Sequence, residues 1–181
     1  MSIRSGVGVI SARWIAAAMV GGTLSALGAF AQDGVHSRVT FGAGGIGIAG
    51  GSDGAFSGSI EWQSAQPLFW RVAPLAGALA TSDGTKYLFA GVHMDFPVQE
   101  RWHFTPSVAV GGYSEGSGKD LGHRVEFRTQ GEVWYRLSGT QHVGLALYHM
   151  SNAGLGSRNP GTNGAAATYS LSLPTIRSLL P

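Results

Sequence analysis

Residues 125–137, VEFRTQGEVWYRL, divide their side chains into two sets by strict alternation. One set contains Val125, Phe127, Thr129, Val133, Tyr135 and Leu137, and the other Glu126, Arg128, Gln130, Glu132, Trp134 and Arg136. A period of two predicts a β-strand whose faces meet different surroundings. A soluble sheet buries its apolar face, whereas a membrane barrel exposes it to lipid, and this strand alone is compatible with both.

The same division recurs along the chain after residue 32. It predicts eight strands, most of them longer than the five or six residues usual in soluble sheets, near 38–48, 56–64, 68–79, 87–96, 102–110, 125–137, 141–151 and 166–173. An even number of alternating strands of about ten residues is typical of outer-membrane barrels. The sequence therefore predicts an all-β fold, an eight-stranded antiparallel transmembrane β-barrel over residues 32–181.

The first 31 residues have the pattern of an export signal. Arg4 and Arg13 precede an uncharged apolar stretch, and Ala29-Phe30-Ala31 provides a cleavage site. An uncleaved membrane anchor is the alternative. Cleavage removes both arginines and leaves ten basic and ten acidic residues, so no nucleic-acid partner is expected. The chain has no cysteine, which excludes disulfides and thiolate chemistry.

In a barrel of this kind the apolar side chains face lipid and the polar ones fill the lumen. An eight-stranded lumen holds side chains and is too narrow for a water channel, so we expect a packed internal network of Glu61, Arg71, Asp95, Glu126, Arg128 and Glu132. Short turns are expected near 65, 97–101 and 138–140, with longer loops at the opposite end. Short turns face the periplasm in such barrels, so the seventh strand is expected to end at the outer leaflet.

That strand carries a polar pair on its lipid-facing side. In QHVGLALYHMSN, residues 141–152, His149 and Ser151 share the parity of Leu145 and Leu147. Two residues along a strand span about 6.6–6.8 Å, so the two side chains are able to approach each other. One interpretation places them in the polar interfacial band, and the other makes Ser151 a nucleophile and His149 its general base.

The residues around this pair resemble a known family. His149-x-Ser151-Asn152-Ala153-Gly154 followed by Asn159-Pro160-Gly161-x-Asn163 is similar to the lipid A 3-O-deacylases (PagL-like). The resemblance implies an eight-stranded outer-membrane esterase that hydrolyses the 3-position ester of lipid A and releases a 3-hydroxy fatty acid. It also implies that Ser151 is the nucleophile, His149 the base and Asn152 an oxyanion donor, with lipopolysaccharide as the substrate and no cofactor.

One position departs from the family pattern. The family has a glutamate after the Asn-Pro-Gly turn, where this chain has Thr162 and Asn163. We expect the side-chain carbonyl of Asn163 to orient His149, as asparagine does in Cys-His-Asn proteases. The alternative is that Glu115 or Asp120, in the loop that leads into the sixth strand, orients His149. The departure also leaves open a catalytically degenerate barrel that binds lipopolysaccharide or stabilises the envelope, and the same chemistry fits a phospholipase.

Other signals are assigned to structure. Gly42–Gly47 satisfies G-x-G-x-x-G, but no helix follows, so a dinucleotide site is not expected. His93 and Asp95 share an inward face without a third ligand, so no metal is expected. Pro74 and Pro106 lie within predicted strands and indicate bulges or shifted boundaries. The sequence is compatible with a monomer or a homo-oligomer.

Overall fold

The computed structural model describes residues 36–48 and 54–173. The expected signal peptide, residues 1–31, lies outside the described residues. Eight long strands form the wall: β1 Arg38–Ile46, β2 Ala55–Gln63, β3 Ala73–Thr81, β4 Lys86–His93, β5 Trp102–Ser114, β6 Val125–Arg136, β7 Gln141–Ser151 and β8 Thr162–Ser172. Within the described ranges, no helix is long and apolar enough to cross a membrane.

The strands form one closed antiparallel sheet. Each strand pairs with its sequence neighbours, and β1 also pairs with β8 from Arg38 opposite Ser172 to Ile46 opposite Gly164. Closure leaves none of these eight described strands with an unpaired edge, which is the condition for a sheet in hydrocarbon. The predicted eight-stranded barrel is therefore confirmed. We call the end that carries residues 82–85, 115–124 and 152–161 the loop end, and the other the turn end.

Pro106 interrupts the pairing of β4 with β5 without shifting it. The Met94 amide donates to the Pro106 carbonyl at 3.0 Å, but proline has no N–H to return the bond. The chain resumes pairing at Phe96–Pro97, and His93 opposite Ser107 and Phe96 opposite Phe104 keep one register. A gap in the ladder therefore takes the place of the expected bulge or shifted boundary.

The third strand begins at Ala73, not near residue 68 as predicted. Residues 68–72 form a tight turn instead, in which the Leu68 amide donates to the Val72 carbonyl at 2.7 Å. Trp70 at its tip has a φ of 47°, a conformation that a strand cannot contain. The connection 64–72 is therefore longer than 82–85 at the loop end, and the expected contrast between short turns and long loops fails here.

The lumen is divided into a polar half and an apolar half. Towards the turn end, Arg38 pairs with Asp95 at 3.2 Å, and near mid-height Arg128 pairs with Glu61 at 2.5 Å and Glu132 accepts from Thr168 at 2.6 Å. Two members of the predicted network lie outside it. Arg71 is exposed on the 64–72 connection, and the buried Glu126 carboxylate, nearer the loop end, has no hydrogen-bond partner among the described residues. From mid-barrel to the loop end, the lumen is filled by an apolar cluster that includes Leu79, Tyr87, Phe89, Tyr113, Leu121, Tyr148 and Met150.

This division corrects the expectation of a uniformly polar interior. Inward positions of β4 and β7 carry Tyr87, Phe89, Tyr148 and Met150, although the outward positions are also largely apolar. The apolar cluster closes the loop half of the barrel and lies directly beneath the loop that follows β7. It therefore gives that loop a rigid base.

Candidate active site

His149 and Ser151 project from the outer wall at the loop end of β7. His149 is exposed and Ser151 is half-buried. Tyr148, which precedes His149, and Met150, which lies between His149 and Ser151, are buried in the lumen. This follows from the pleat of the strand, in which successive side chains point to opposite faces. The parity on which the sequence interpretation rests is therefore present in the fold.

The neighbouring strand places Asn163 beside His149. The two residues are directly opposite in the β7–β8 register, and the Nδ1 atom of His149 lies 2.8 Å from Oδ1 of Asn163. An amide oxygen only accepts hydrogen bonds, so Nδ1 carries the proton. The remaining ring nitrogen, Nε2, then has a free lone pair, which is the tautomer that a general base requires.

Gly161 packs against the other edge of the imidazole. A Cβ atom added to this buried glycine would lie 3.0 Å from Cε1 and 3.3 Å from Nε2 of His149. Gly161 also has a φ of 57°, which disfavours any residue with a side chain. The absence of a side chain here lets the loop backbone approach the ring, and the ring is held between this backbone and Asn163.

Asn152 organises the loop that follows β7. Its side chain is fully buried, and Nδ2 donates to the carbonyls of Leu121 and Arg158, each at 2.8 Å. Its Oδ1 accepts from the Gly154 amide at 2.9 Å, and its own amide donates to Oδ1 of Asn159 at 3.0 Å. Both side-chain donors are thus directed at backbone carbonyls. The role of oxyanion donor that the family resemblance implies for Asn152 stays a prediction.

The preceding loop, residues 115–124, fixes this arrangement from the side. Leu121 is fully buried, and Asp120 forms an ion pair with Arg158. Asp120 and Glu115 were the alternative partners for the imidazole, but neither is hydrogen-bonded to His149. Instead Asp120 contacts Arg158 and Gly122, and the Glu115 carbonyl accepts from Thr85. Of the three candidates, Asn163 is the one that is hydrogen-bonded to the imidazole of His149.

Ser151 lies two residues from His149 on the same face, next to outward-facing Phe127 on β6. Among the described residues no hydrogen bond joins Ser151 to His149. Catalytic hydrogen bonds are commonly long without substrate and shorten in the complex. The structure therefore brings the imidazole and amide together and places the hydroxyl beside them, with access from the lipid side.

Sequence reasoning missed the residues that hold the site from behind. Leu121 and Asp120 come from a loop more than 25 residues before the end of β7, whereas Arg158, the partner of Asp120, lies in the loop after β7. No local pattern connects the two loops. Gly161 had a local signal, since an Asn-Pro-Gly turn favours a glycine with positive φ. Its contact with His149 depends on how the loop folds back, which is a tertiary feature.

The fold and the outward polar pair together define a class, the transmembrane β-barrels that carry a polar pair on their outer wall. Comparison with known proteins makes the assignment more specific: the profile of the family described as lipid A 3-O-deacylase (PagL) matches residues 56–172. The chain belongs to this family. Membership places it in the outer membrane of Gram-negative cells.

Solved structures agree with this fold. The crystal structure of the outer membrane enzyme PagL has a TM-score of 0.59 and 19% identity, over 75% of this chain and 99% of that chain. Neisserial surface protein A has a TM-score of 0.55 and 12% identity, over 78% and 98%. A de novo designed transmembrane β-barrel reaches 0.54 at 11% identity, over 77% and 98%. No curated protein sequence matches the chain.

Proposed function

We propose that this protein is an outer-membrane serine esterase that hydrolyses the 3-position acyl ester of lipid A and releases a 3-hydroxy fatty acid. The observation that carries the proposal is the 2.8 Å contact between His149 Nδ1 and Asn163 Oδ1 on the outward face, beside Ser151. A polar group exposed on the lipid side of a barrel wall is costly, and an oriented imidazole next to a hydroxyl gives that cost a chemical reason.

The reaction follows from these positions. Nε2 of His149 accepts the Ser151 proton while Oγ attacks the ester carbonyl, and the resulting imidazolium protonates the departing 3-oxygen of the sugar. Water, activated by the same nitrogen, then hydrolyses the acyl-serine and regenerates the hydroxyl. Asn163 keeps the proton on Nδ1 throughout, so Nε2 is the nitrogen that exchanges protons.

The wall below the site supports a lipid substrate. Leu147 and Ala165 form the next outward pair below His149 and Asn163, and they begin an apolar groove of about 580 Å³ that continues past Phe104, Gly131, Leu145 and Ala167. Leu155, on the loop above, is 56% exposed. We propose that one acyl chain of the substrate lies in this groove, with its ester carbonyl at Ser151.

The proposal is tested on lipid A from cells that express the protein. Mass spectrometry should show the loss of one 3-hydroxyacyl chain with the wild type and no loss with Ser151→Ala or His149→Ala. All three proteins should be folded, as shown by heat-dependent mobility in gel electrophoresis. Unchanged lipid A with folded wild type contradicts the proposal. Presenting phospholipid beside lipid A to the purified protein separates a phospholipase from a lipid A esterase.

A non-catalytic barrel that binds lipopolysaccharide or stabilises the envelope is the second candidate. The amide at position 163 favours it, because an amide does not neutralise an imidazolium as a carboxylate does. The test is Asn163→Glu. If deacylation is absent in the wild type and appears with this single change, the protein is a degenerate relative that has kept its binding surface.

A further inference from the structure

A second groove lies on the outer wall, away from His149, across β2, β3, β4 and β5. Its volume is about 780 Å³, within the range of lipid- and ligand-sized sites. It results from small outward residues. Gly58 on β2 lies opposite Ala80 on β3. Leu88 on β4 lies between Ala78 on β3 and Gly112 on β5. A Cβ atom added to Gly58 or Gly112 would meet no heavy atom within 4 Å, so the space beside both glycines is open.

Two cations border this groove at the loop end. Lys86 occupies the outward position of β4 next to Ala80 and Ser114, and Arg124 directly precedes β6. Both are exposed, and neither has a carboxylate within ion-pair distance in the described part of the chain. Arg158, the cation beside the active-site loop, is instead paired with Asp120. Glu115 and Asp120 line an adjoining polar depression, which shares Tyr113, Ser114 and Arg124 with the groove.

We propose that this groove is a binding site for a phosphate-bearing anionic lipid, with an acyl chain along the glycine and alanine surface and the phosphate between Lys86 and Arg124. The apolar groove lies on the wall that faces hydrocarbon, so a lipid rather than a soluble anion occupies it. Charge complementarity selects the headgroup, because the two cations that line one groove attract a phosphate that carries net charge more strongly than a zwitterionic headgroup. The site is independent of the esterase proposed above.

The experiment is native mass spectrometry of the full barrel in detergent micelles doped with phosphatidylglycerol or with phosphatidylcholine of the same acyl chains. The Ser151→Ala background removes any turnover of lipid. We expect retention of phosphatidylglycerol in preference to phosphatidylcholine. The double variant Lys86→Gln/Arg124→Gln should weaken retention by about 30-fold, the loss of two attractions of ~1 kcal/mol each. Lys119→Gln, the same charge change in the loop outside the groove, should leave retention unchanged.

The apolar part of the site is tested separately. Gly58→Leu and Gly112→Leu place a side chain in the groove, where a Cβ atom has open space, and neither glycine has a positive φ. Both barrels should therefore fold and lose the bound lipid. Equal retention of the two lipids overturns the proposal. So does a double variant that behaves like Lys119→Gln, or full retention in both folded leucine variants. Self-association that the leucine substitutions abolish, without bound lipid, assigns the groove to a second copy of the chain and also overturns it.

Discussion

Replacing Asn163 by aspartate tests how the site functions without the carboxylate of its family. The two side chains have the same shape, so Asn163→Asp keeps an oxygen 2.8 Å from Nδ1 of His149 and adds one negative charge. The hydrogen bond to the ring becomes charge-assisted, and the imidazolium that forms in the transition state is stabilised. A charged hydrogen bond contributes ~1–2 kcal/mol more than a neutral one, which corresponds to about 5–30-fold in rate.

The assay is the release of 3-hydroxy fatty acid from lipid A by purified barrels in mixed micelles, at the pH plateau of each protein. Asn163→Asp should raise kcat by about 5–30-fold with little change in KM, because the added stabilisation acts on the transition state. Asn163→Ala is the matched control. It removes the acceptor that fixes the tautomer, and loss of the correct tautomer costs up to about 10⁴-fold in serine proteases. An activity of Asn163→Asp below that of the wild type refutes the role given to Asn163.

Three further substitutions, and one control for the last of them, test the support of the site and the barrel. Gly161→Ala places a methyl group 3.0 Å from the His149 ring at a position with positive φ, so lipid A deacylation should fall by at least about tenfold with the barrel folded, as measured by heat-dependent mobility. Leu121→Ala removes a fully buried side chain and should destabilise the protein by ~2–5 kcal/mol, measured by urea unfolding in detergent, with reduced deacylation. Glu61→Gln leaves buried Arg128 without its partner and should cost ~3–5 kcal/mol in the same unfolding assay, whereas exposed Asp120→Asn should cost under about 1 kcal/mol.

Most of what the sequence predicted correctly about the fold came from the alternation of side chains along each strand. In β6 and β7 the alternation of residues sorted every side chain to the correct side of the wall, because a period of two allows only two faces. It also placed His149 and Ser151 outside. Alternation fails where an apolar run is not a strand: Leu68, Phe69 and Trp70 read as the start of β3 but form an exposed turn with Trp70 at a φ of 47°.

The parts of the site that depend on long-range contacts could not be predicted from the sequence. Asn152 stands next to Ser151 in a motif that resembles a catalytic one, which led to the expectation of an oxyanion donor. Its side-chain donors are directed at the carbonyls of Leu121 and Arg158, and the first of these partners is 31 residues away. The pairing of His149 with Asn163 was predictable in part, because both flank a single connection between adjacent antiparallel strands.

The central claim is that His149 activates Ser151 on the lipid side of the wall. Its most direct measurement is the site of covalent modification by a long-chain alkyl fluorophosphonate, mapped by peptide mass spectrometry on the folded barrel. We predict one adduct, on Ser151. The rate of its formation should drop sharply in His149→Ala and rise in Asn163→Asp. An unmodified Ser151 in the folded wild type, or modification at the same rate without the imidazole, contradicts it.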